Sequence, residues 1–294
     1  MDKITLKARA KINLTLDVKR RLESGYHQVD MIMQQLELND EIEITTVNEN
    51  GGIKVRTDHS LVPGDRNNLA YKAARLIKDT YNISRQANIR INKNIPVGAG
   101  LGGGSADAAA VILGLNRIWR LGLDIPSMMR LGIKLGADVP FCILGGTALA
   151  GGTGEVLTPV SSAPLMDILL VKPDFMVSTA SVYSSLDVAS ISERPSNAGM
   201  IGALEAGDKE GIASRMYNVL EEVTVKRHPE IDIIKKAIIE RGALGAVMSG
   251  SGPTVAGVFE NGEKANNAAE FFRKKYKEVI VTKTVTSQEG EKND

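Results

Sequence analysis

The sequence predicts an α+β protein of two domains, and three observations carry that reading. The first third alternates apolar and polar residues as strands do, then passes through a glycine-rich turn into an alanine-rich helix. The second half orders its elements β-α-β-β-α-β once inserted helices are set aside. A chain of 294 residues also exceeds the usual size of one domain, so two cores are expected. The boundary is expected near Pro159 to Pro164, where Ser161, Ser162 and Ala163 separate two prolines. This gives domains at 1–160 and 161–286, followed by a polar, disordered tail at 287–294.

The elements follow in order. Lys11 to Val18 switches apolar and polar residues with period two, the mark of a half-buried strand. Glu41 to Ile44 and Ile53 to Arg56 alternate likewise and are joined by a turn at Asn50-Gly51-Gly52. Asn67 is placed to cap a helix whose face is Leu69, Ala73, Leu76 and Ile77. Ala87 to Asn92 is a strand leading into the glycine loop and its helix. A helix over Ser127 to Leu135 ends at Gly136 and delivers Asp138 into a stiff Val139-Pro140 segment. Gly145, Gly146, Gly151, Gly152 and Gly154 then mark a turn-rich stretch.

In the second half, Asp167 to Val171 is a strand, and helical material runs on through Tyr217. Gly207-Asp208-Lys209 opens one of those short helices. A helix over Pro229 to Arg241 presents Ile231, Ile234 and Ile238 on one face and closes at Gly242. Strands at Gly245 to Ser249 and Thr254 to Phe259 flank a tight glycine turn. A helix from Glu263 to Tyr276 and a strand from Val279 to Lys283 complete a ferredoxin-like order.

Composition excludes several classes of function. The formal charge is +1 and aromatics are 4%, which leaves neither a basic face nor a stacking platform for nucleic acid. The one cysteine, Cys142, permits no internal disulfide and no cysteine-based zinc site, and its apolar neighbours suggest a buried thiol. The N-terminus lacks the apolar core of a signal peptide, and no apolar run has membrane-spanning length. A cytoplasmic protein with a small-molecule substrate is expected, as monomer or homodimer.

The loop Pro96 to Ala108 packs five glycines into seven residues just ahead of a helix. Glycine admits positive φ and close approach, so successive N–H groups can converge on one anion, and the helix start adds its unpaired amides. Gly98, Gly100 and Gly103 satisfy the dinucleotide pattern literally. The acid that should follow, Asp124, lies in a turn between helices with no strand before it. Gly98 and Gly103 also bracket a Walker A spacing, but Gly104 stands where its lysine belongs. The cation facing a transferred phosphate must therefore come from elsewhere in the chain.

The same residues, Pro96-x-Gly98-x-Gly100-Leu101-Gly102-Gly103-Gly104-Ser105-x-Asp107-Ala108, resemble the second motif of the GHMP kinases. That family phosphorylates galactose, homoserine, mevalonate and similar alcohols. Ala10-Lys11-Ile12-Asn13-Leu14 is similar to its first motif, and Gly245 to Thr254 is similar to its third. Three motifs in family order cover nearly the whole chain. The resemblance implies an N-terminal α/β domain like domain two of a small-ribosomal-subunit protein, and a ferredoxin-like C-terminal domain. It also implies ATP and Mg²⁺ as cofactors. Within the family, Gly25-Tyr26-His27 and Gly136-Ala137-Asp138-Val139-Pro140-Phe141 are closest to the branch whose acceptor carries a cytidine diphosphate.

Residue roles follow from that resemblance. It makes Asp138 the general base, with a turn cap as the alternative, and places Lys11 beside it as the missing cation. Asn13, two residues along the strand, shares the Lys11 face and is implied to touch the acceptor. Pro96, Val97, Gly98, Ala99, Gly100, Leu101, Gly102, Gly103, Gly104, Ser105 and Ala106 are implied to hold ATP. Lys93 is expected toward phosphate and Asn68 toward adenine. Ser105 is the implied metal residue or a simple helix cap, and Asp107 reads as a first-turn acid without a catalytic role. Tyr26 and His27 are implied to hold cytosine; Tyr183 is either the aromatic on its other face or an ordinary helix-face residue. Many relatives carry a second serine where this chain has Ala106, which removes one hydroxyl from the loop. Another kinase of the family, or a non-catalytic nucleotide-binding protein on the same scaffold, are the competing readings.

Overall fold

The computed structural model describes residues 2–286, so the expected tail lies outside the described residues. The chain divides into two units that interleave along it. Residues 2–10, 38–97 and 102–144 form the first, and residues 11–37, 98–101 and 145–286 form the second. Two long strands, β1 (Asp2–Arg21) and β2 (His27–Asn50), contribute residues to both units. After them come β3 (Ile53–Thr57), α1 (Leu69–Tyr81), β4 (Arg85–Asn92), α2 (Gly103–Trp119), α3 (Ile125–Gly132) and α4 (Val139–Leu144). Then follow β5 (Thr147–Gly151), β6 (Val156–Pro159), β7 (Asp167–Lys172), α5 (Thr179–Ser185), α6 (Asn197–Ala206) and α7 (Lys209–Ser214). The chain continues through β8 (Tyr217–Asn218), α8 (Glu221–Arg227), α9 (Glu230–Glu240), β9 (Gly245–Met248), β10 (Val255–Phe259), α10 (Gly262–Arg273) and β11 (Glu278–Lys283).

In the first unit the strand order is β3-β4-β2-β1. The Asn50-Gly51-Gly52 turn does join β2 to β3, but β4 lies between them. β4 runs antiparallel to β2 and parallel to β3, because α1 carries the chain over as a β-α-β crossover. The α1 cap is Asn68 and not Asn67: its side chain accepts from the Ala70 N–H at 2.8 Å. The buried face of α1 is accordingly Ala70, Ala73, Ala74 and Ile77, with Leu69 and Leu76 at its margins. These residues join Leu6, Ile42, Ile44 and Ile89 of the sheet and Ala108, Val111, Ile112 and Leu115 of α2 in one apolar core. α3 starts two residues before Ser127, because Asp124 caps it through the Ser127 N–H at 2.8 Å with Pro126 in the first turn.

In the second unit β5 pairs antiparallel with β2 and with β6, and β8 lies parallel to β1. The stretch expected as turns after Gly145 is therefore a hairpin. Gly145, Gly146, Gly152 and Gly154 take positive φ around it, leaving Thr147 to Ala150 free to pair. Tyr217 belongs to β8 rather than to a helix. The other sheet runs β11-β7-β10-β9, antiparallel throughout. That is the ferredoxin-like order expected from the sequence, with Ile231, Ile234 and Ile238 of α9 and Ala265, Ala269 and Phe272 of α10 buried. Among the described residues no helix is long and apolar enough to cross a membrane.

The second-unit part of β1 departs from its expected half-burial. Its polar residues Lys11, Asn13, Thr15 and Asp17 are buried together with the apolar ones. Each polar group there meets a polar partner, which is what burial demands. The Thr15 hydroxyl donates to Asn197 Oδ1 at 2.5 Å and accepts from the Ile32 N–H at 2.9 Å. Asp17 Oδ1 accepts from Arg194 at 2.6 Å, and Lys19 lies 2.7 Å from its other oxygen. Thr15→Val, of equal shape, leaves Ile32 N and Asn197 unpaired and should cost about 1–3 kcal/mol in urea unfolding. A loss indistinguishable from zero would show that this seam is not needed for stability.

Candidate active site

Three chain segments converge in the second unit. The Lys11 N–H donates to Leu101 O at 3.0 Å, fixing the loop residues 98–101 against β1. The Ser249 hydroxyl donates to Gly100 O at 3.0 Å, bringing the turn after β9 onto the same residues. Gly100 has φ +76°, and a Cβ there would sit 2.3 Å from Ser249 O, so any side chain is excluded on both counts. A Cβ built on Gly250 would lie 3.4 Å from Gly100 O, 3.6 Å from Lys11 Nζ and 3.7 Å from Asn13 Oδ1. The ammonium of Lys11 donates to Asn13 Oδ1 at 3.0 Å, and the Asn13 amide lies 3.1 Å from Met31 Sδ. All three motifs expected from the sequence thus contribute to one cluster, and Lys11 and Asn13 share a face as their spacing requires.

Sequence reasoning missed the residue that holds the third motif. Asn218, buried in β8, donates to Met248 O and Gly250 O, each at 2.7 Å, and accepts from the Leu220 N–H at 2.9 Å. Glu221 Oε1 accepts from the Met248 N–H at 2.8 Å. Neither residue lies in a glycine motif, so the sequence offered no local signal for them.

The first unit holds the helix start. α2 opens at Gly103 behind Gly102, which has φ +73°. Its first i to i−4 bond is from the Ala106 N–H to Gly102 O at 2.9 Å. The amides of Gly103, Gly104 and Ser105 therefore precede the intrahelical ladder and can meet an anion. Asp107 is the fifth helical residue, one turn deeper than a first-turn acid. Ser105 lies near Gly136: a Cβ built there would be 3.9 Å from Ser105 Oγ. Asp138, half-buried, stands immediately before α4, and its carbonyl accepts from the Cys142 N–H at 3.1 Å. Cys142 is buried as expected.

Lys93 and Asn68 are bound tightly into this unit. The Lys93 ammonium, on a side chain only 4% exposed, contacts Asp40 and also Asp107 at 3.0 Å. Asn68, besides capping α1, donates to Pro63 O at 2.6 Å. A Cβ built on Gly103 would lie 3.3 Å from Lys93 Nζ, and the polar atoms of both residues are engaged by the protein.

The remaining expected residues lie in the second unit. Tyr26 is exposed, while His27 is buried against Tyr183, with ring centroids 5.3 Å apart and planes at 39°. Burial, aided by Arg21, lowers the His27 pKa from its ordinary value. A neutral imidazole has one donor and one acceptor, suited to reading the edge of a base. For a divalent cation the test is the donor set. Among the described residues no three His, Cys, Asp or Glu side chains gather as a cage. A hard cation carried on phosphate oxygens requires few protein ligands, and Ser105 at the helix start fits that demand.

Comparison with known proteins agrees with this geometry. The GHMP kinases N terminal domain matches residues 68–146, and the GHMP kinases C terminal domain matches residues 200–278. A 4-diphosphocytidyl-2-C-methyl-D-erythritol kinase from Alkaliphilus oremlandii is 50% identical over 97% of this chain and 97% of its own. The chain belongs to that branch of the GHMP kinases. A crystal structure of a 4-(cytidine 5'-diphospho)-2C-methyl-D-erythritol kinase is 31% identical, with TM-score 0.81 over 96% of this chain and 99% of its own. A homoserine kinase from Cytophaga hutchinsonii, 19% identical with TM-score 0.75 over 97% of this chain and 95% of its own, shares the fold.

In this kinase the Gly100 contact leaves no room for a side chain. Gly100→Ala should destabilise the fold by about 2 kcal/mol or more and reduce turnover. Thermal unfolding and initial rates measured together test this; an active variant of unchanged stability would contradict the close packing.

Proposed function

We propose that Lys11 and Asp138 carry the transfer of the γ-phosphoryl group of ATP to the 2-hydroxyl of 4-diphosphocytidyl-2-C-methyl-D-erythritol. This step belongs to the non-mevalonate route to isoprenoid precursors, in the cytoplasm. Phosphoryl transfer depends on positioning and on offsetting charge more than on covalent help from the protein. The amides of Gly103, Gly104 and Ser105 hold the nucleotide's phosphates, together with the loop from Pro96 to Leu101. Ser105 is the residue that would hold a Mg²⁺ ion, which would supply charge to offset that of the phosphates.

The loop lacks a lysine at Gly104, so the cation must come from another segment. Lys11 fills that role: its ammonium points to Asn13 and Gly250 at the cluster where the three motifs meet. Asp138 accepts the proton of the acceptor hydroxyl as the hydroxyl approaches phosphorus. Asn13 orients the methylerythritol end of the acceptor. His27 reads the edge of cytosine, and Tyr26 and Tyr183 supply flat surface for it.

The observation that carries the acceptor assignment is the His27–Tyr183 pair, since homoserine and mevalonate have no base to stack. A coupled assay with the three acceptors should give turnover with the cytidine compound alone. Lys11→Met should lower kcat by about 10²-fold or more while the protein stays folded. Turnover of mevalonate or homoserine at a comparable rate, or a Lys11→Met enzyme of near-normal kcat, would reject the assignment. Tyr183→Ala should raise KM for the cytidine acceptor by about ten-fold, a loss typical of one stacking partner. The KM for ATP should stay constant; an unchanged acceptor KM would remove Tyr183 from the base site.

A further inference from the structure

The helix that carries Tyr183 is held from behind by a residue with no part in the reaction scheme. α5 has seven residues, too few to keep a helical conformation in water by themselves. Val182 is its one buried residue, so packing fixes it at a single point. Ser181 and Ser185, four apart, share a face, and Tyr183 lies about 200° round the axis from each. Arg227, at the end of α8, spans that serine face. One guanidinium nitrogen donates to the Ser181 hydroxyl at 2.7 Å and reaches the Ser181 carbonyl at 3.4 Å, and the other donates to the Ser185 hydroxyl. Among the described residues no carboxylate pairs with Arg227, so its fork is given to α5.

α8 is a firm base for that brace. Its first residue, Glu221, accepts from the Met248 N–H at 2.8 Å. Thr224, fully buried, donates to Ser251 O at 3.4 Å. The residue after Arg227 holds the same segment further back: the His228 ring stacks on Phe175, with centroids 4.5 Å apart and planes at 16°. The Thr179 and Ser251 hydroxyls, 2.7 Å apart, tie the start of α5 to the turn after β9. Arg227 then grips the turn of α5 from which Tyr183 projects. On the far side of that grip the Tyr183 ring meets His27 at 5.3 Å between centroids.

Resting on the reading of Tyr183 as an aromatic of the base site, we propose that Arg227 is a positioning residue for acceptor recognition. By bridging Ser181 and Ser185 it holds the Tyr183 ring in place for cytosine. Stacking depends on where the ring lies, and a ring that swings must be ordered again each time a base arrives. A planar fork with fixed nitrogens suits this task better than a lysine, whose ammonium is one point on a flexible stem. A single ammonium can meet one serine, but it does not set the axis of a short helix. The effect falls on recognition of the base and not on phosphoryl transfer, because the hydrogen bonds of Arg227 go to α5.

The test is initial-rate kinetics of the full chain with the cytidine acceptor and magnesium ATP, arranged as a double-mutant cycle. Wild type, Arg227→Met, Tyr183→Ala and the double variant are compared. Arg227→Met should raise the acceptor KM about five-fold, the net contribution of one such hydrogen bond, with kcat and the KM for ATP unchanged. In the Tyr183→Ala background the same change should add nothing. A fall in kcat, an equal rise in both KM values, or a loss that persists without Tyr183 would show a general structural role and overturn the proposal. Arg227→Lys keeps the charge, so a wild-type acceptor KM in that variant would also overturn the two-point brace. Should Arg227→Met fail to fold, Ser181→Ala combined with Ser185→Ala removes the same contacts from the other side while favouring the helix, and must give the same rise. An unchanged KM in Arg227→Met beside a raised one in Tyr183→Ala rejects the brace and leaves the base site standing. An unchanged KM in Tyr183→Ala rejects the base reading, and the role of Arg227 with it.

Discussion

The close approach of Ser249 to Gly100 is the constraint from which the second-unit site follows. A carbonyl oxygen occupies the space where any Cβ of residue 100 would project, so the loop and the turn after β9 touch backbone to backbone. That contact draws Gly250 toward Lys11 and Asn13 and sets the ammonium at the meeting point of the three motifs. Asn218 and Glu221 then fix the turn from behind by satisfying Met248 and Gly250. A site assembled from segments so distant in sequence needs such lateral ties, because no single loop supplies its shape.

Charge is distributed with similar economy. The glycine cradle carries no lysine of its own, and the lysine nearest its entry, Lys93, is occupied by two carboxylates. Lys93 and Asp40 together organise the backbone of Asn94 and Ile95 just before the loop. In the proposed reaction the cation is therefore assigned to Lys11, whose head is directed by Asn13. Under that proposal an ion-paired ammonium and a reacting one are separate, and each can have the environment its task requires.

Much of this was legible in the sequence, for physical reasons that differ by element. The ferredoxin-like strand order and the α9 face of Ile231, Ile234 and Ile238 could be read because apolar period and turn glycines agree there. The glycine loop was legible because few other demands put five glycines in seven residues. Period alone could not tell that β4 inserts between β2 and β3, since neighbour order in a sheet is a tertiary property. Nor could it separate the β5–β6 hairpin from plain turns, because the glycines flanking it dominate the local signal. Lys93 was expected toward phosphate from the resemblance, while its ion pairs with Asp40 and Asp107, 53 and 14 residues away, lay beyond any local pattern. Asn218 stayed hidden for the same reason.

The buried polar face of β1 carries a consequence for how the chain is made. Thr15 and Asp17 find their partners in Asn197 and Arg194, 182 and 177 residues later. A ribosome adding roughly 5–20 residues per second delivers those partners about ten seconds or more after β1 has emerged. During that interval the strand lacks the Asn197 acceptor for the Thr15 hydroxyl and the Arg194 donor for the Asp17 carboxylate. Such long sequence separation slows folding through loop-closure entropy. The nascent β1 edge is accordingly open to mispairing until those partners have been made.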